Sequence, residues 1–379
     1  MNKTRIMVVA SSAKRRAGGG FQITTNFLLR SLSDERIDWV YVVSQDVDDA
    51  IGDKFSSLKG KSYFVVPPQP TMKEYFKVKR LFADLEKKFT PSLIYTIISP
   101  SYFKFKTREI MRHTDPYTFN SSDLAYTTWS WKSKMFQKLK EISVRRMLRN
   151  AYAFETQSQA VADETMKATG KHVEVISNIL PATYLKVDVP SQKVKHDDTN
   201  IVYVTAGQPH KCLYMVPQVM SLLVNKYNKK NIHFTYTIPF GSPQAIYLEK
   251  LAEQYGVKDY IENAGYLKQE QLIDLYLRSD IGFFASLLET FSATLLEYMY
   301  FRLPMVVTDL PFNTEVTKDA ALYFQPKDIE DAAAKLNELI EKPELRDKLL
   351  AKADNRMKCF VDYEEHYNHK IDFLIKCAQ

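Results

Sequence analysis

The sequence predicts an α/β protein with two domains, each built on a parallel sheet covered by helices on both faces. Three observations support this prediction. The chain has 379 residues, more than a single domain usually contains. β-rich runs alternate with helix-like stretches in both halves, an order typical of parallel sheets. A polar segment with two prolines and no helical periodicity, 181–200, separates the halves and is the best linker candidate.

The first half opens with a strand-like run, a basic loop, three glycines (Gly18, Gly19 and Gly20) and an apolar-periodic helix at 24–32. A longer helix-like stretch occupies 73–89. The predicted strands of this half are 5–11, 39–44, 62–67, 93–99, 117–122, 151–158 and 173–178. The order of these elements indicates a doubly wound sheet.

The alternation restarts after the linker candidate. The predicted strands of the second half are 201–207, 233–239, 260–266, 280–286, 304–309 and 321–326, and the predicted helices are 213–227, 244–256, 268–279 and 292–301. The aromatic-rich stretch 363–376 needs an apolar surface, and we expect it to pack back on the first domain. The expected domains are therefore 1–185 and 186–355, followed by a returning helix at 356–379. Sheets of this kind bind ligands at the carboxyl ends of their strands, so two facing sheets would form a cleft between the domains.

The composition is that of a globular protein, with 45% apolar and 26% charged residues. The three cysteines, Cys212, Cys359 and Cys377, have neither metal-ligand nor redox spacing, which favours reduced thiols and a cytoplasmic location. His366 and His369 have helical metal-ligand spacing but lack a third ligand, so no metal is predicted. No apolar run approaches the ~18 residues that would span a bilayer.

The positive charge is concentrated in one region. Between residues 101 and 150, eleven Lys and Arg stand against four acids, an excess that equals the net charge of +7 for the whole chain. Such a region binds anionic surfaces or ligands. Within it, 129–150 combines apolar and basic residues, as helices on anionic membranes do. The alternative is an amphipathic helix that packs on the first sheet and leaves a solvated basic face. No nucleic-acid-binding module is recognisable, so no nucleic acid is expected as a partner.

Residues 280–326 carry the clearest chemical pattern. Ser292 stands at an N-cap position, so the amides of Ala293 and Thr294 would face an anion. Glu289 precedes this helix start, and Glu297 lies about 7.5 Å further along the axis. The two carboxylates would bracket a ligand with hydroxyls at both ends and phosphate between them, as in a nucleotide sugar. The plainer alternative is that Glu297 is an ordinary acid on the helix surface and that Glu289 interacts favourably with the dipole at the helix N-terminus.

This stretch resembles the signature of the retaining glycosyltransferases of family 4. The similarity comprises Glu289, seven intervening residues, Glu297 and a strand from Pro304 to Asp309, and it extends back through 265–286. The resemblance implies the GT-B fold, in which two Rossmann-like domains face each other across a cleft.

The resemblance also implies roles for individual residues. Glu289 would bind hydroxyls of the donor sugar, Glu297 would hold the ribose, and Lys211 would neutralise the leaving diphosphate. The remaining implied donor-binding residues are Gly18, Gly19, Gly20, Phe291, Ser292, Ala293 and Thr294. Members of this family commonly have an arginine shortly before the lysine, where this chain has Gln208 and His210. They also place a histidine near the donor, for which His113 is the nearest candidate.

The expected function is transfer of a hexose, with retention, from a nucleotide diphosphate sugar to a growing surface glycan such as O-antigen or capsule. We expect no metal and no cofactor, a lipid-linked acceptor, and a peripheral position on the inner face of the plasma membrane through 101–150. Two alternatives stay open: a catalytically silent sugar-nucleotide-binding scaffold, or another GT-B enzyme such as a phosphorylase or epimerase.

Overall fold

The computed structural model describes residues 3–14, 19–67, 71–119, 123–127, 129–181, 183–190, 198–360 and 362–379. In these residues the strands form two sheets in which all the pairings are parallel. The predicted fold class is therefore confirmed at the level of the two sheets.

The first sheet has seven strands in the order β3-β2-β1-β4-β5-β6-β7. Their bounds are β1 Thr4–Ala10, β2 Ile37–Ser44, β3 Tyr63–Val66, β4 Leu93–Thr96, β5 Glu109–Arg112, β6 Ala153–Thr156 and β7 His172–Val175. The central strands are apolar on both faces, because helices cover both sides of the sheet. The strand order reverses between β1 and β4, so the loops that follow these two strands diverge to opposite faces.

The helices of this half are α1 Gly19–Ser31, α2 Gln45–Ile51, α3 Met72–Phe89, α4 Pro116–Phe119, α5 Asp123–Tyr126, α6 Trp131–Leu148 and α7 Gln159–Thr169, with a 3-10 helix at Gly52–Leu58. Helix α3 begins with a complete capping box between Thr71 and Glu74. Helix α1 begins at Gly19, so Gly19 and Gly20 form its first turn rather than the predicted loop.

One predicted strand of this sheet is wrong. The structure places helix α4 at Pro116–Phe119, which overlaps the start of the run 117–122 that was expected to be a strand, and residues 120–122 lie outside the described residues. Proline favours the first turn of a helix, which explains the short helix here. The fifth strand is instead β5, whose terminal residues Glu109 and Arg112 are charged yet buried.

The second sheet has six strands in the order β10-β9-β8-β11-β12-β13. Their bounds are β8 Thr199–Tyr203, β9 Ile232–Tyr236, β10 Ile261–Asn263, β11 Ile281–Phe284, β12 Met305–Thr308 and β13 Leu322–Phe324, and each falls within or overlaps a predicted strand. The helices are α8 Met215–Asn225, α9 Pro243–Gln254, α10 Gln269–Arg278, α11 Ala293–Tyr300, α12 Pro311–Thr317, α13 Ile329–Glu341 and α14 Pro343–Met357, with 3-10 helices at Tyr184–Lys186, Pro209–Lys211 and Lys258–Tyr260. The order reverses between β8 and β11, which are neighbours.

The last helix, α15 (Tyr363–Ala378), packs on the first sheet as predicted. Ile371 and Leu374 share one buried cluster with Ile6 and Val8 of β1. Lys370 lies on the buried face of the same helix.

Lys370 completes a buried group of charges on the first sheet. The Glu155 carboxylate of β6 accepts hydrogen bonds from Lys370 Nζ at 2.7 Å, Arg112 Nε at 3.1 Å and the Tyr95 hydroxyl at 2.6 Å. Burial raises the pKa of Glu155, but the charges of Lys370 and Arg112 outweigh burial and hold that pKa below its usual range. Burial lowers the pKa of Lys370. Glu155 therefore stays ionised, because two cationic side chains donate to its carboxylate.

The chain divides into two compact units, each made of separate stretches. Unit 1 contains 1–120, 132–177 and 364–379, and unit 2 contains 121–131 and 178–363. The expected domains were 1–185, 186–355 and 356–379. In the structure the chain passes from unit 1 to unit 2 after residue 177 rather than 185, and it returns to unit 1 after residue 363 rather than 355. The short stretch 121–131 also joins unit 2, because Leu124 packs against the core of the second sheet.

Candidate active site

Lys211 lies in the loop that follows β8. The 3-10 helix Pro209–Lys211 ends at Cys212, whose φ of 51° turns the chain towards α8. The Tyr203 hydroxyl donates to the Lys211 carbonyl at 2.8 Å, which fixes this turn against the end of the strand. The lysine side chain is thereby held near the carboxyl edge of the sheet.

Glu289 lies in the loop between β11 and α11, and its carboxylate forms an ion pair with Lys211 Nζ. The Lys211 side chain is only 15% exposed and the Glu289 side chain only 13%. A main-chain bond also joins the two loops, since the Leu287 amide donates to the His210 carbonyl at 2.8 Å. The structure therefore brings together the two predicted catalytic residues at the point where the strand order reverses, the usual ligand-binding position in such sheets.

His210 is buried beside this ion pair. Burial, assisted by the charge of Lys211, lowers the pKa of His210 to about 4, and Glu289 opposes this shift only weakly. The imidazole is neutral at pH 7, so His210 does not replace the arginine that the family commonly has before the lysine.

Helix α11 begins after Ser292, as predicted. Ser292 has extended backbone angles, with φ −94° and ψ 115°, and its side chain makes no capping hydrogen bond. The first backbone N–H groups of a helix have no acceptor within the helix. Those of Ala293 and Thr294 can therefore donate hydrogen bonds to a ligand. Thr294 Oγ1 also donates to the Val204 carbonyl at 3.5 Å, which ties the helix start to the end of β8.

Phe291 has a packing role. Its ring is buried in the second core and lies 6.0 Å from the Phe360 ring, measured between centroids. Only its backbone is suited to the predicted contact with a donor.

Glu297 is buried and accepts a hydrogen bond from the Tyr276 hydroxyl of α10. Burial raises the pKa of Glu297 to about 7, against the smaller effect of that hydrogen bond. Among the contacts of the described residues, Glu297 is joined to Tyr276 and not to Lys211 or Glu289. Sequence reasoning missed Tyr276, because the apolar periodicity of α10 gives it the place of an ordinary core residue.

Of the three predicted donor-binding glycines in unit 1, the structure describes Gly19 and Gly20. Gly18 lies outside the described residues. Among the described residues, a side-chain carbon at Gly19 would meet nothing within 4 Å, and one at Gly20 would lie 4.0 Å from Ile98, which follows β4. Gly20 therefore lies beside the residues that follow β4, at the reversal point of the first sheet.

His113 follows β5 and is buried. Its Nδ1 lies 3.3 Å from Ser99 Oγ, and burial lowers the pKa of His113 to about 4. These contacts assign the ring a packing and hydrogen-bonding role in the sheet edge.

In the part of the chain that the structure describes, no three His, Cys, Asp or Glu side chains group as metal ligands would. No helix of that part is long and apolar enough to cross a bilayer.

Residues 187–356, which include Lys211, Glu289 and Glu297, match the family model described as "Glycosyl transferases group 1". The resemblance to glycosyltransferases is confirmed. A curated relative, the gpi3 subunit of phosphatidylinositol N-acetylglucosaminyltransferase from Schizosaccharomyces pombe, is 27% identical over 170 residues, which are 45% of this chain. The matched region spans only 36% of that relative's length.

Solved glycosyltransferase structures share the fold over nearly the whole chain. A glycosyltransferase from Rickettsia africae has a TM-score of 0.71 at 14% identity, with 100% of each chain covered. Sucrose-phosphate synthase from Thermosynechococcus elongatus has a TM-score of 0.71 at 13% identity, with 99% of each chain covered. HepE from Anabaena, solved with UDP and glucose, has a TM-score of 0.69 at 14% identity and covers 98% of this chain and 100% of its own. The predicted GT-B fold is thereby confirmed.

Proposed function

We propose that this protein is a retaining glycosyltransferase that moves a hexose from a nucleotide diphosphate sugar to a growing glycan. The observation that carries the proposal is the contact between Lys211 and Glu289 at the reversal point of the second sheet. A fixed cation and a fixed carboxylate in one place suit a donor that has a diphosphate next to a sugar.

The chemistry of the donor assigns a task to each group. When the bond between the anomeric carbon and the phosphate oxygen breaks, negative charge develops on the diphosphate. The Lys211 ammonium and the amides at the start of α11 stabilise that charge. Glu289 accepts hydrogen bonds from sugar hydroxyls, and Glu297 accepts them from the ribose.

Retention requires the acceptor oxygen to attack the face from which the diphosphate leaves. In this proposal the new bond forms between the acceptor oxygen and the anomeric carbon, and the hydroxyl proton passes to the departing phosphate oxygen. No protein side chain is needed as a base, and Lys211 and the start of α11 supply the charge that a metal ion supplies elsewhere.

The proposed acceptor is a lipid-linked glycan of a surface polysaccharide such as O-antigen or capsule, reached from the inner face of the plasma membrane. The Schizosaccharomyces relative supports a lipid acceptor, since its name identifies phosphatidylinositol as what its enzyme glycosylates. The Anabaena structure with UDP and glucose supports a nucleotide-linked hexose as donor.

The second candidate is a sugar-nucleotide-binding scaffold without turnover, and a phosphorylase or epimerase of the same fold is the alternative among enzymes. All of these could bind a nucleotide. Only a transferase yields a new glycosidic bond together with a nucleoside diphosphate.

The test begins with a panel of nucleotide diphosphate sugars and measures the melting temperature with each. A donor at a hundred times its Kd stabilises the folded state by about 2.7 kcal/mol, which is a rise of several degrees for a domain of this size. Transfer to lipid-linked glycan acceptors is then measured with the stabilising donor.

Two variants separate the candidates. Glu289→Gln and Lys211→Ala should each lower kcat about a hundredfold or more while both still bind the nucleoside diphosphate, because the lost interactions act on the transition state. Glu262→Gln removes an exposed carboxylate of β10 and should be fully active. Donor binding without any transfer would favour the scaffold, and full activity of both variants would remove the ion pair from the mechanism.

A further inference from the structure

Most of the large apolar side chains of helix α6 are exposed, whereas two of its four buried residues are polar. Its buried residues are Gln137, Glu141, Val144 and Leu148. Its exposed large apolar side chains, with their exposed fractions, are Trp131 (68%), Met135 (54%), Phe136 (72%), Leu139 (61%) and Ile142 (65%). A helix that packs its apolar face on a core shows the reverse arrangement.

The exposed apolar residues form a single stripe. At about 100° per residue, Trp131, Met135, Leu139 and Ile142 fall within an arc of about 80°. The centre of this arc lies about 145° from the centre of the buried face. We call these four residues, with the adjacent Phe136, the apolar stripe of α6. The stripe therefore points away from the first sheet. The helix still packs on that sheet, because Val144 and Leu148 share a buried cluster with Met111 of β5 and Phe154 of β6, so the alternative of a packed helix with a solvated basic face explains these two residues but not the stripe.

The charges around the apolar stripe are all positive. The exposed cations of the helix are Lys132, Lys138, Lys140, Arg145 and Arg146, and Lys134 is half-buried. The one acid of α6, Glu141, lies on the buried face. Arg145 donates from Nε to the Thr118 carbonyl at 2.6 Å, so it also holds the helix to the protein.

We propose that the apolar stripe and its flanking cations dock this protein onto an anionic lipid bilayer, with α6 lying in the plane of the interface. Such an interface offers an acyl boundary for the exposed apolar side chains of the stripe and headgroup phosphates for the exposed cations beside it. A protein partner fits less well, because lysine is depleted in the cores of protein interfaces. Nucleic acid would engage the cations alone. The inference does not rest on the proposed activity, since docking needs no donor.

The test measures co-sedimentation of the full chain with phosphatidylcholine vesicles that contain or lack phosphatidylglycerol, at low and high salt. One variant removes charge from α6 (Lys138→Gln, Lys140→Gln and Arg146→Gln), and a second removes apolar groups (Phe136→Ser, Leu139→Ser and Ile142→Ser). All six positions are exposed, so unchanged melting temperatures are expected and serve as the folding check.

Helix α3 supplies matched controls from the same unit. Lys73→Gln, Lys77→Gln and Lys79→Gln make the same change in net charge at exposed positions. Phe76→Ser removes an aromatic ring that is 62% exposed, for comparison with Phe136→Ser alone.

The wild type should bind the anionic vesicles, and high salt should weaken the binding. Each cation near such a surface is worth about fivefold in partitioning, so the charge variant should bind roughly a hundredfold less. The apolar variant should lose at least about tenfold. Both α3 controls should bind like the wild type. Equal losses in the α3 charge control and the α6 charge variant would overturn the proposal, and so would the absence of wild-type pelleting at low salt.

Fluorescence then tests which residue enters the bilayer. Lipids brominated along the acyl chain should quench Trp131, and the quenching should fall sharply in Trp131→Phe, because Trp39 is buried in the first core and Trp129 is half-buried with its ring against Tyr126. Unaltered quenching in that variant would contradict docking by α6. Binding to random duplex DNA without binding to vesicles would assign the basic region to nucleic acid and overturn the proposal.

Discussion

At the scale of single residues, the Lys211–Glu289 ion pair constrains which ligands the site accepts. Both side chains are largely shielded from water, and separating a buried pair without replacement costs about 3–5 kcal/mol. A ligand that draws the ammonium away from the carboxylate must therefore bring its own negative charge. A diphosphate does so and a free sugar does not, so the pair favours a phosphate-bearing ligand, as the proposed donor is.

Glu297 should make nucleotide binding depend on pH. Burial raises its pKa from 4.5 to about 7, and ribose hydroxyls donate better to the ionised carboxylate. The affinity for the nucleoside diphosphate should therefore rise about tenfold between pH 6 and pH 8 because of this group. Calorimetric titration at several pH values checks this.

Glu297→Gln is the reference for that titration. The variant lacks the carboxylate, so the pH dependence that remains comes from protonation of the diphosphate itself. The same variant should be stabilised near neutral pH: the folded wild type holds the proton more tightly than the unfolded chain, so Glu297 lowers stability progressively as the pH rises from 4.5 through about 7. Identical pH profiles in both proteins would show that Glu297 does not titrate in this range.

Part of the site could be predicted from the sequence. The family resemblance implied roles for Lys211 and Glu289, and both follow predicted strands whose carboxyl ends meet at one edge of a parallel sheet. The neutral state of His210 could not be predicted, because it depends on burial by residues distant in the chain. The partnership of Tyr276 with Glu297 could not be predicted either, since it joins two helices whose relative position only packing determines.

At the scale of elements, α15 is held to the first sheet by charge as well as by apolar contact. Its buried side chains share a core with β1, and Lys370 reaches Glu155 in the interior. An unpaired buried carboxylate is costly, so this contact favours one docked position of the helix over shifted ones.

Lys370→Met should destabilise the protein by about 3–5 kcal/mol, because it removes one of two cations from a fully buried carboxylate. Lys376→Met on the exposed face of α15 is the matched control and should change stability by less than about 0.5 kcal/mol. Urea denaturation gives both values. A Lys370 variant as stable as the control would show that Arg112 alone satisfies Glu155.

The strands that could be predicted are those with apolar or β-branched residues throughout. Strand β5 could not be predicted in this way, because its first and last residues are Glu109 and Arg112. Charged residues ordinarily indicate a surface, and here each has a buried partner: Thr96 Oγ1 donates to Glu109 at 2.5 Å, and Arg112 binds Glu155. The run 117–122 has the aromatic and β-branched residues of a strand, but Pro116 starts a helix there.

At the scale of the whole molecule, neither compact unit is one continuous stretch of chain. Unit 1 needs residues from both ends of the sequence, and unit 2 includes the short stretch 121–131. Cutting the chain at the expected boundary of 355 would remove α15 from the core that it completes.

Removal of residues 364–379 should therefore affect the two units differently. Calorimetry should show a lower and broader transition for unit 1, which loses Tyr367, Ile371 and Leu374 from its core. Unit 2 contains Lys211, Glu289 and Glu297, so a nucleoside diphosphate should still raise the melting temperature of its transition. If both transitions survived unchanged, α15 would be dispensable for unit 1.

Because α15 is the last element of unit 1 to be synthesised, unit 2 can finish folding before unit 1 does. Domains usually fold from the amino-terminal end as they leave the ribosome, at about 5–20 residues per second. Here the first sheet must wait about 10–40 s, while 178–363 are translated, before its last helix exists. During that interval the apolar surface around Phe27 and Tyr95 and the carboxylate of Glu155 lack their final partners. The half that is encoded first is thus the half that nascent-chain chaperones must shield longest.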